Sequence, residues 1–116
     1  MIKPSDPREL AIELLPRSIC AVRVAAVVAD GHGIFGWSWN NAGRGLGEHA
    51  EIAVIRRSNR HRLESAAIYI ASQRKRNEKA INSRPCLDCE RAIRKVGMRY
   101  VYFRDGSGTW QCEEWL

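Results

Sequence analysis

The chain has 116 residues, 45% of them hydrophobic, enough for one domain (1–116) with its own core and no need of disulfide staples. Nineteen Lys and Arg face thirteen Asp and Glu, a net charge of +6, and fifteen of the cations are arginine, which suits bidentate contact with phosphate. No apolar stretch approaches membrane-spanning length and no charged start leads into a secretory-type apolar run, so no membrane partner and a cytoplasmic, reducing location are expected. A phosphate-bearing partner is therefore expected, with a merely soluble basic surface as the plainer reading.

Residues 1–5 read as an arm. Asp6-Pro7-Arg8-Glu9 is a compact helix start, with Asp6 as N-cap, Pro7 at the first helical position and Glu9 completing a capping-box-like arrangement. Leu10 and Leu14, with Ala11 and Leu15, give an i, i+4 apolar face that Pro16 ends. Ala21 to Ala29 is valine-rich and almost wholly apolar, the pattern of a central strand covered on both faces. Asp30-Gly31-His32-Gly33 predicts a turn and Ile34 to Trp39 the returning strand of a hairpin, with His32 an exposed turn residue. Asn40 to Gly47 is a glycine-rich loop in which Arg44 is the only charge, a candidate phosphate contact if the loop is more than a connector.

Glu48 to Leu63 predicts one helix, apolar in its first half and carrying Arg56, Arg57, Arg60 and Arg62 in its second. Cations suit a helix C-terminus, and that reading is preferred to a nucleic-acid patch. Ser65 to Ser72 alternates and predicts a strand. Gln73 to Arg84 is polar and basic, a flap with its tip near Asn77-Glu78, and a second candidate for phosphate or backbone contact. Cys86 to Val96 predicts a helix closed by Gly97, and Arg99 to Arg104 a strand. After a turn at Asp105-Gly106-Ser107-Gly108, Thr109 to Leu116 predicts a last strand antiparallel to the one before. Cys112 reads there as a partly buried small hydrophobe, and Trp110 and Trp115 as edge packing.

Two segments carry chemistry. Gly47-Glu48-His49-Ala50-Glu51 and Arg84-Pro85-Cys86-Leu87-Asp88-Cys89 together read as H-x-E followed by P-C-x-x-C. Either half alone is weak, whereas the joint pattern in this order is the signature of zinc-dependent nucleobase deaminases. A catalytic zinc takes three nitrogen or sulfur ligands and keeps a fourth position for water. His49, Cys86 and Cys89 supply those three, and Glu51 is left beside the metal as a proton shuttle. Cys86 and Cys89, three apart at a helix start, share one face, and the helix N-terminus favours their thiolates. A closed structural zinc site with Cys112 or Cys20 as fourth ligand is one alternative. A thioredoxin-like redox pair is another, and it leaves His49 and Glu51 unexplained.

The motifs and the order of elements resemble the cytidine deaminase-like superfamily over roughly residues 20–116. The resemblance implies a three-layer α/β/α fold, a mixed five-stranded sheet with helices on both faces and the two metal helices side by side. It implies one Zn2+ per chain on His49, Cys86 and Cys89, with Glu51 moving the proton. Trp39-Asn40 is similar to the W-N segment of tRNA adenosine deaminases, which makes Asn40 a candidate substrate contact with Asn41 close behind. Ala50 would offer its backbone to the base, and Pro85 joins the candidate substrate-binding residues. The long basic stretch before Pro85 departs from the family pattern, and the last strand after a tight glycine-rich turn resembles nucleoside, toxin and phage-type members. The expectation is hydrolytic conversion of cytosine to uracil in a phosphate-bearing substrate, either a (deoxy)cytidine nucleoside or nucleotide or single-stranded DNA or RNA. The alternatives are a tRNA-type adenosine deaminase and a non-catalytic zinc-stabilised nucleic-acid-binding module. Relatives often assemble, so a homo-oligomer is an expectation from the resemblance.

Overall fold

A central strand apolar on both faces needs two covering layers, and the chain supplies them around one sheet. The structure, a computed structural model, describes residues 6–41 and 48–115. Strand β1 (Val22–Asp30) pairs antiparallel with β2 (Gly33–Trp39) on one side and with β3 (Ala67–Arg74) on the other. Strand β4 (Tyr100–Arg104) lies parallel to β3, and β5 (Trp110–Glu114) antiparallel to β4, giving the order β2-β1-β3-β4-β5. The mixed five-stranded sheet and the antiparallel last strand are both as the sequence predicts. Asp105 holds the turn into β5 by accepting from the N–H groups of Ser107 (2.9 Å) and Thr109 (3.1 Å).

Helix α1 (Pro7–Leu14) starts as its sequence dictates, with the Asp6 side chain accepting from the Arg8 N–H at 2.9 Å and Pro7 at the first position. The helix ends at Leu14 and runs into a 3₁₀ turn, Leu15–Arg17, that accommodates Pro16. Its Ala11, Leu14 and Leu15 cover Ala25, Val27 and Ala71 on one face of the sheet. On the other face, α2 (Ala50–Arg57), α3 (Arg60–Leu63) and α4 (Leu87–Lys95) bury Ala50, Val54, Leu63 and Ile93 against Val28, Ile68, Ile70 and Val101. Each Val, Leu or Ile side chain among them contributes about 1.5–3 kcal/mol when fully buried. Among the described residues, no helix is long and apolar enough to cross a membrane.

Two expectations are corrected. The single helix over 48–63 is two helices, because Ser58 adopts extended backbone and Asn59 caps a new helix by accepting from the N–H groups of His61 and Arg62. Cys112 is exposed rather than partly buried, since it projects from β5 opposite Tyr102, away from α2 and α4. Gly97 closes α4 as expected, with φ +79°, and the Met98 N–H reaches Ile93 O (3.3 Å) while its own N–H reaches Arg94 O (3.1 Å).

The segment after α2 approaches β2 closely at Gly36, which lies directly opposite Val28. A Cβ there would lie 2.9 Å from Val28 Cγ2 and would collide with Ser58 Oγ, which follows α2. Gly36→Ala is predicted to destabilise the fold by about 1–3 kcal/mol, because a packed interior absorbs extra volume only by strain. Thermal unfolding checks this; an unchanged midpoint would contradict the close approach of α2 to β2.

Candidate metal centre

Helices α2 and α4 both begin at the sheet end where the parallel pair β3 and β4 finishes. His49 is the N-cap of α2 (φ −67°, ψ 145°) and Cys86 the N-cap of α4 (φ −68°, ψ 170°), and neither side chain makes a capping hydrogen bond. Cys89 lies one turn into α4 and is fully buried, while His49 and Cys86 are exposed. The extended cap backbone turns both N-cap side chains away from their own helices and towards one point. His49 Nδ1 is 3.2 Å from Cys89 Sγ and 3.7 Å from Cys86 Sγ, and all three donor atoms lie within 4.8 Å of one another.

The donor set fits zinc. Bonds of about 2.0–2.3 Å at tetrahedral angles put ligand atoms about 3.5–3.8 Å apart, close to the spacings found. Among the described residues no fourth His, Cys, Asp or Glu joins the cluster. Cys112 is on the other side of the sheet, and Cys20 sits beside Asn40, its Sγ 4.0 Å from the Asn40 carbonyl. The closed four-ligand site therefore does not form among these residues.

Glu51, in the first turn of α2, is only 5% exposed. Burial pushes its carboxyl above the ordinary carboxylate value, against hydrogen bonds from its own backbone N–H and from Cys89 that pull it down. Burial also pushes the Cys89 thiol up, and the neighbouring Glu51 charge adds to the shift. Two buried acids thus share one spot, and a cation bound there would oppose both shifts.

His49, Glu51 and Cys86 line an open cavity of about 190 Å³, with Val22, Val24, Ser72 and residues 81–84 as its walls. Of the expected substrate contacts, Pro85 is buried just before the α4 cap and Ala50, the first residue of α2, is fully buried with its backbone among the N–H groups that have no partner inside a helix. The Asn40 side chain ties β1 to β2: its Oδ1 accepts from Ser18 Oγ (2.6 Å) and the Val24 N–H (2.9 Å), and its Nδ2 donates to Val22 O (2.8 Å). Asn41 pairs through its backbone with Glu48, at 3.2 and 3.0 Å, across the base of the glycine-rich loop. Arg44 lies outside the described residues. Arg84 is at the cavity but is held by Glu113 (3.1 Å) and Glu90 (3.4 Å). Sequence reasoning missed the wall residues Val22, Val24, Ser72 and Ser83; the placement of Asn82-Ser83 directly before the cysteine motif was the one available signal.

The sequence matches the cytidine and deoxycytidylate deaminase zinc-binding region over residues 7–104. The chain belongs to that family. Its cofactor is accordingly zinc, in agreement with the donor set. Among solved structures, the chain is similar to a cytidine deaminase from Burkholderia pseudomallei, at 18% identity over 93% of this chain and 89% of that one, with TM-score 0.69. A cytidine deaminase from Mycobacterium leprae is similar at 18% identity over 90% and 88%, TM-score 0.58. A dCMP deaminase from the cyanophage S-TIM5 is similar at 19% identity over 90% and 86%, TM-score 0.55. At these identities the likeness carries the fold, and it matches the mixed sheet described above. No curated protein sequence matches the chain.

An open three-donor site makes a direct prediction for metal content. Cys89→Ala protein should purify with little or no zinc, whereas Cys112→Ser and Cys20→Ser should each retain one zinc per chain. Elemental analysis reads this, and loss of zinc in Cys112→Ser would restore the closed-site reading.

Proposed function

We propose that the protein is a hydrolytic deaminase that converts cytosine to uracil in a phosphate-bearing substrate. The observation that carries this reading is a buried, non-clustered carboxyl, Glu51, next to three N/S/S donors at the wall of an open cavity. A structural zinc site has no use for such a carboxyl, and a redox pair has no use for His49.

In this reading His49, Cys86 and Cys89 hold the zinc. When bound, zinc supplies Lewis-acid chemistry and lowers the pKa of water to about 7. Glu51 accepts a proton from the attacking water and delivers it to the ring nitrogen beside the carbon that carries the amino group. The carbon–oxygen bond forms, the carbon–nitrogen bond breaks, and one water is consumed for each ammonia released; no redox partner is needed. The burial of Glu51 keeps solvent from competing for that proton. Ala50 and Pro85, directly beside the ligands His49 and Cys86, are taken as further substrate contacts, Ala50 through its backbone. Asn40, held by three structural hydrogen bonds, is taken as a fixed rather than a mobile substrate contact. The family description, cytidine and deoxycytidylate deaminases, supports cytosine over adenine as the base. We place the protein in the cytoplasm on the same reading, as an enzyme of nucleotides or nucleic acids.

Glu51→Ala is predicted to keep its zinc and its fold while turnover falls by about 10²–10⁴-fold or more, the usual contribution of a positioned acid–base group. Uracil formation from deoxycytidine, its monophosphate and a cytosine-containing oligonucleotide is the readout. Wild-type rates in that variant on every substrate would remove Glu51 from the mechanism.

A further inference from the structure

The positive charge of this protein is unevenly neutralised. Arg56 pairs with Glu48 (2.8 Å), Arg62 with Asp30 (2.7 Å), Arg99 with Glu114 (2.7 Å), and Arg94 with Glu90 (3.3 Å). Arg84, at the cavity itself, is likewise held by carboxylates. Arg74, Lys75, Arg76 and Lys79 are exposed and, among the described residues, in no ion pair; Arg17, Arg57, Arg60 and Lys95 share that state but are dispersed, whereas these four fall on one turn. The one carboxylate in that stretch is Glu78.

These four cations sit on the turn between two cavity-lining stretches, Ser72 and residues 81–84. The chain leaves β3 at Arg74, and the Glu78 N–H donates back to Arg74 O at 2.8 Å, with Glu78 in the left-handed region at φ +57°. The Arg74 N–H donates to Lys79 O (3.0 Å), and the Ile81 N–H to Ser72 O (3.2 Å). The returning limb is the segment 81–84 that lines the cavity. At the other limb, Arg74 lies directly opposite Val22, and Ser72 directly opposite Val24, so Arg74 shares the sheet face that Val22, Val24 and Ser72 turn towards the cavity. Backbone hydrogen bonds therefore fix these cations on the turn that joins two stretches lining the cavity, Ser72 and residues 81–84.

We propose that this turn is a docking surface for the phosphodiester backbone of a single-stranded polynucleotide whose cytosine enters the cavity; the identity of the base rests on the function proposed above. A free nucleotide carries its phosphate at one point, which one or two cations serve. A row of four along a turn matches successive phosphates of one strand. A single strand also presents its bases without the unpairing that a duplex requires.

The test is binding of a fluorescently labelled, cytosine-containing single-stranded oligonucleotide to zinc-loaded protein, by anisotropy, across a salt series. Three or four phosphate contacts predict a slope of log K against log salt of about −2 to −3, at about 0.7 per contact. Lys75→Gln/Arg76→Gln should weaken binding and flatten the slope by about 1.4. The matched pair Arg60→Gln/Lys95→Gln removes two exposed cations at the opposite helix ends and should leave the slope where it was. The turn is held through its backbone, so these exchanges leave its fold intact, which circular dichroism verifies. No salt-sensitive binding, or equal slopes in the two double variants, overturns the proposal even if deoxycytidine is converted to deoxyuridine. Salt-sensitive binding that the flap pair alone abolishes, with no uracil formed from any substrate, keeps the docking surface and overturns the cytosine reading instead.

Discussion

One nitrogen, two sulfurs and a carboxyl are forced together at the starts of two helices, and only a cation reconciles them. Cys89 and Glu51 are both buried; burial raises the proton affinity of each, and the Glu51 charge raises that of Cys89 further. The sheet creates this convergence. A parallel pair needs a crossover, and the crossover from β3 to β4 is α4, which must therefore start at the end where β3 finishes. Helix α2 lies on the same face and starts at the same end, so His49 and Cys86, as the two N-caps, face one another. The apolar contacts of Val54 and Ile93 with the sheet hold the helices in that relation, and the metal site inherits its geometry from them.

The electrostatics of the surface follow a second rule. Most arginines of α2 to α4 and of the last strands face carboxylates and so hold the surface together rather than projecting a field. Such exposed pairs contribute about 0–1 kcal/mol each, and their larger effect here is to neutralise. Among the described residues, the exposed cations in no ion pair are either scattered singly, as Arg17, Arg57, Arg60 and Lys95, or grouped on the turn after β3. Net charge alone, read from the composition, does not distinguish a uniformly basic surface from this arrangement.

Much of the fold was legible in the sequence because its signals are local. Asp6-Pro7 names a helix start, the valine run names a central strand, and Asp105 to Gly108 names a turn that makes β5 antiparallel. The motif spacing likewise brought His49, Cys86 and Cys89 to one place. What escaped was set by tertiary contact. The break at Ser58-Asn59 depends on an Asn cap that the apolar periodicity of 48–63 conceals. The exposure of Cys112 depends on which face of the edge strand is covered. Asn40, a candidate for the substrate by resemblance, spends most of its hydrogen-bonding capacity on β1, a pairing invisible without the register. The cavity walls at Val22, Val24 and Ser72 come from strands far from the motif in sequence, with nothing polar enough to mark them.

The most direct test of an open zinc centre is X-ray absorption at the zinc edge on the zinc-loaded protein. The proposed site predicts two sulfur scatterers at about 2.3 Å and two nitrogen or oxygen scatterers at about 2.0–2.1 Å, one of them from imidazole and one from solvent. A shell of three or four sulfurs, or two imidazoles with no solvent ligand, would mean a closed metal site and would contradict the catalytic reading.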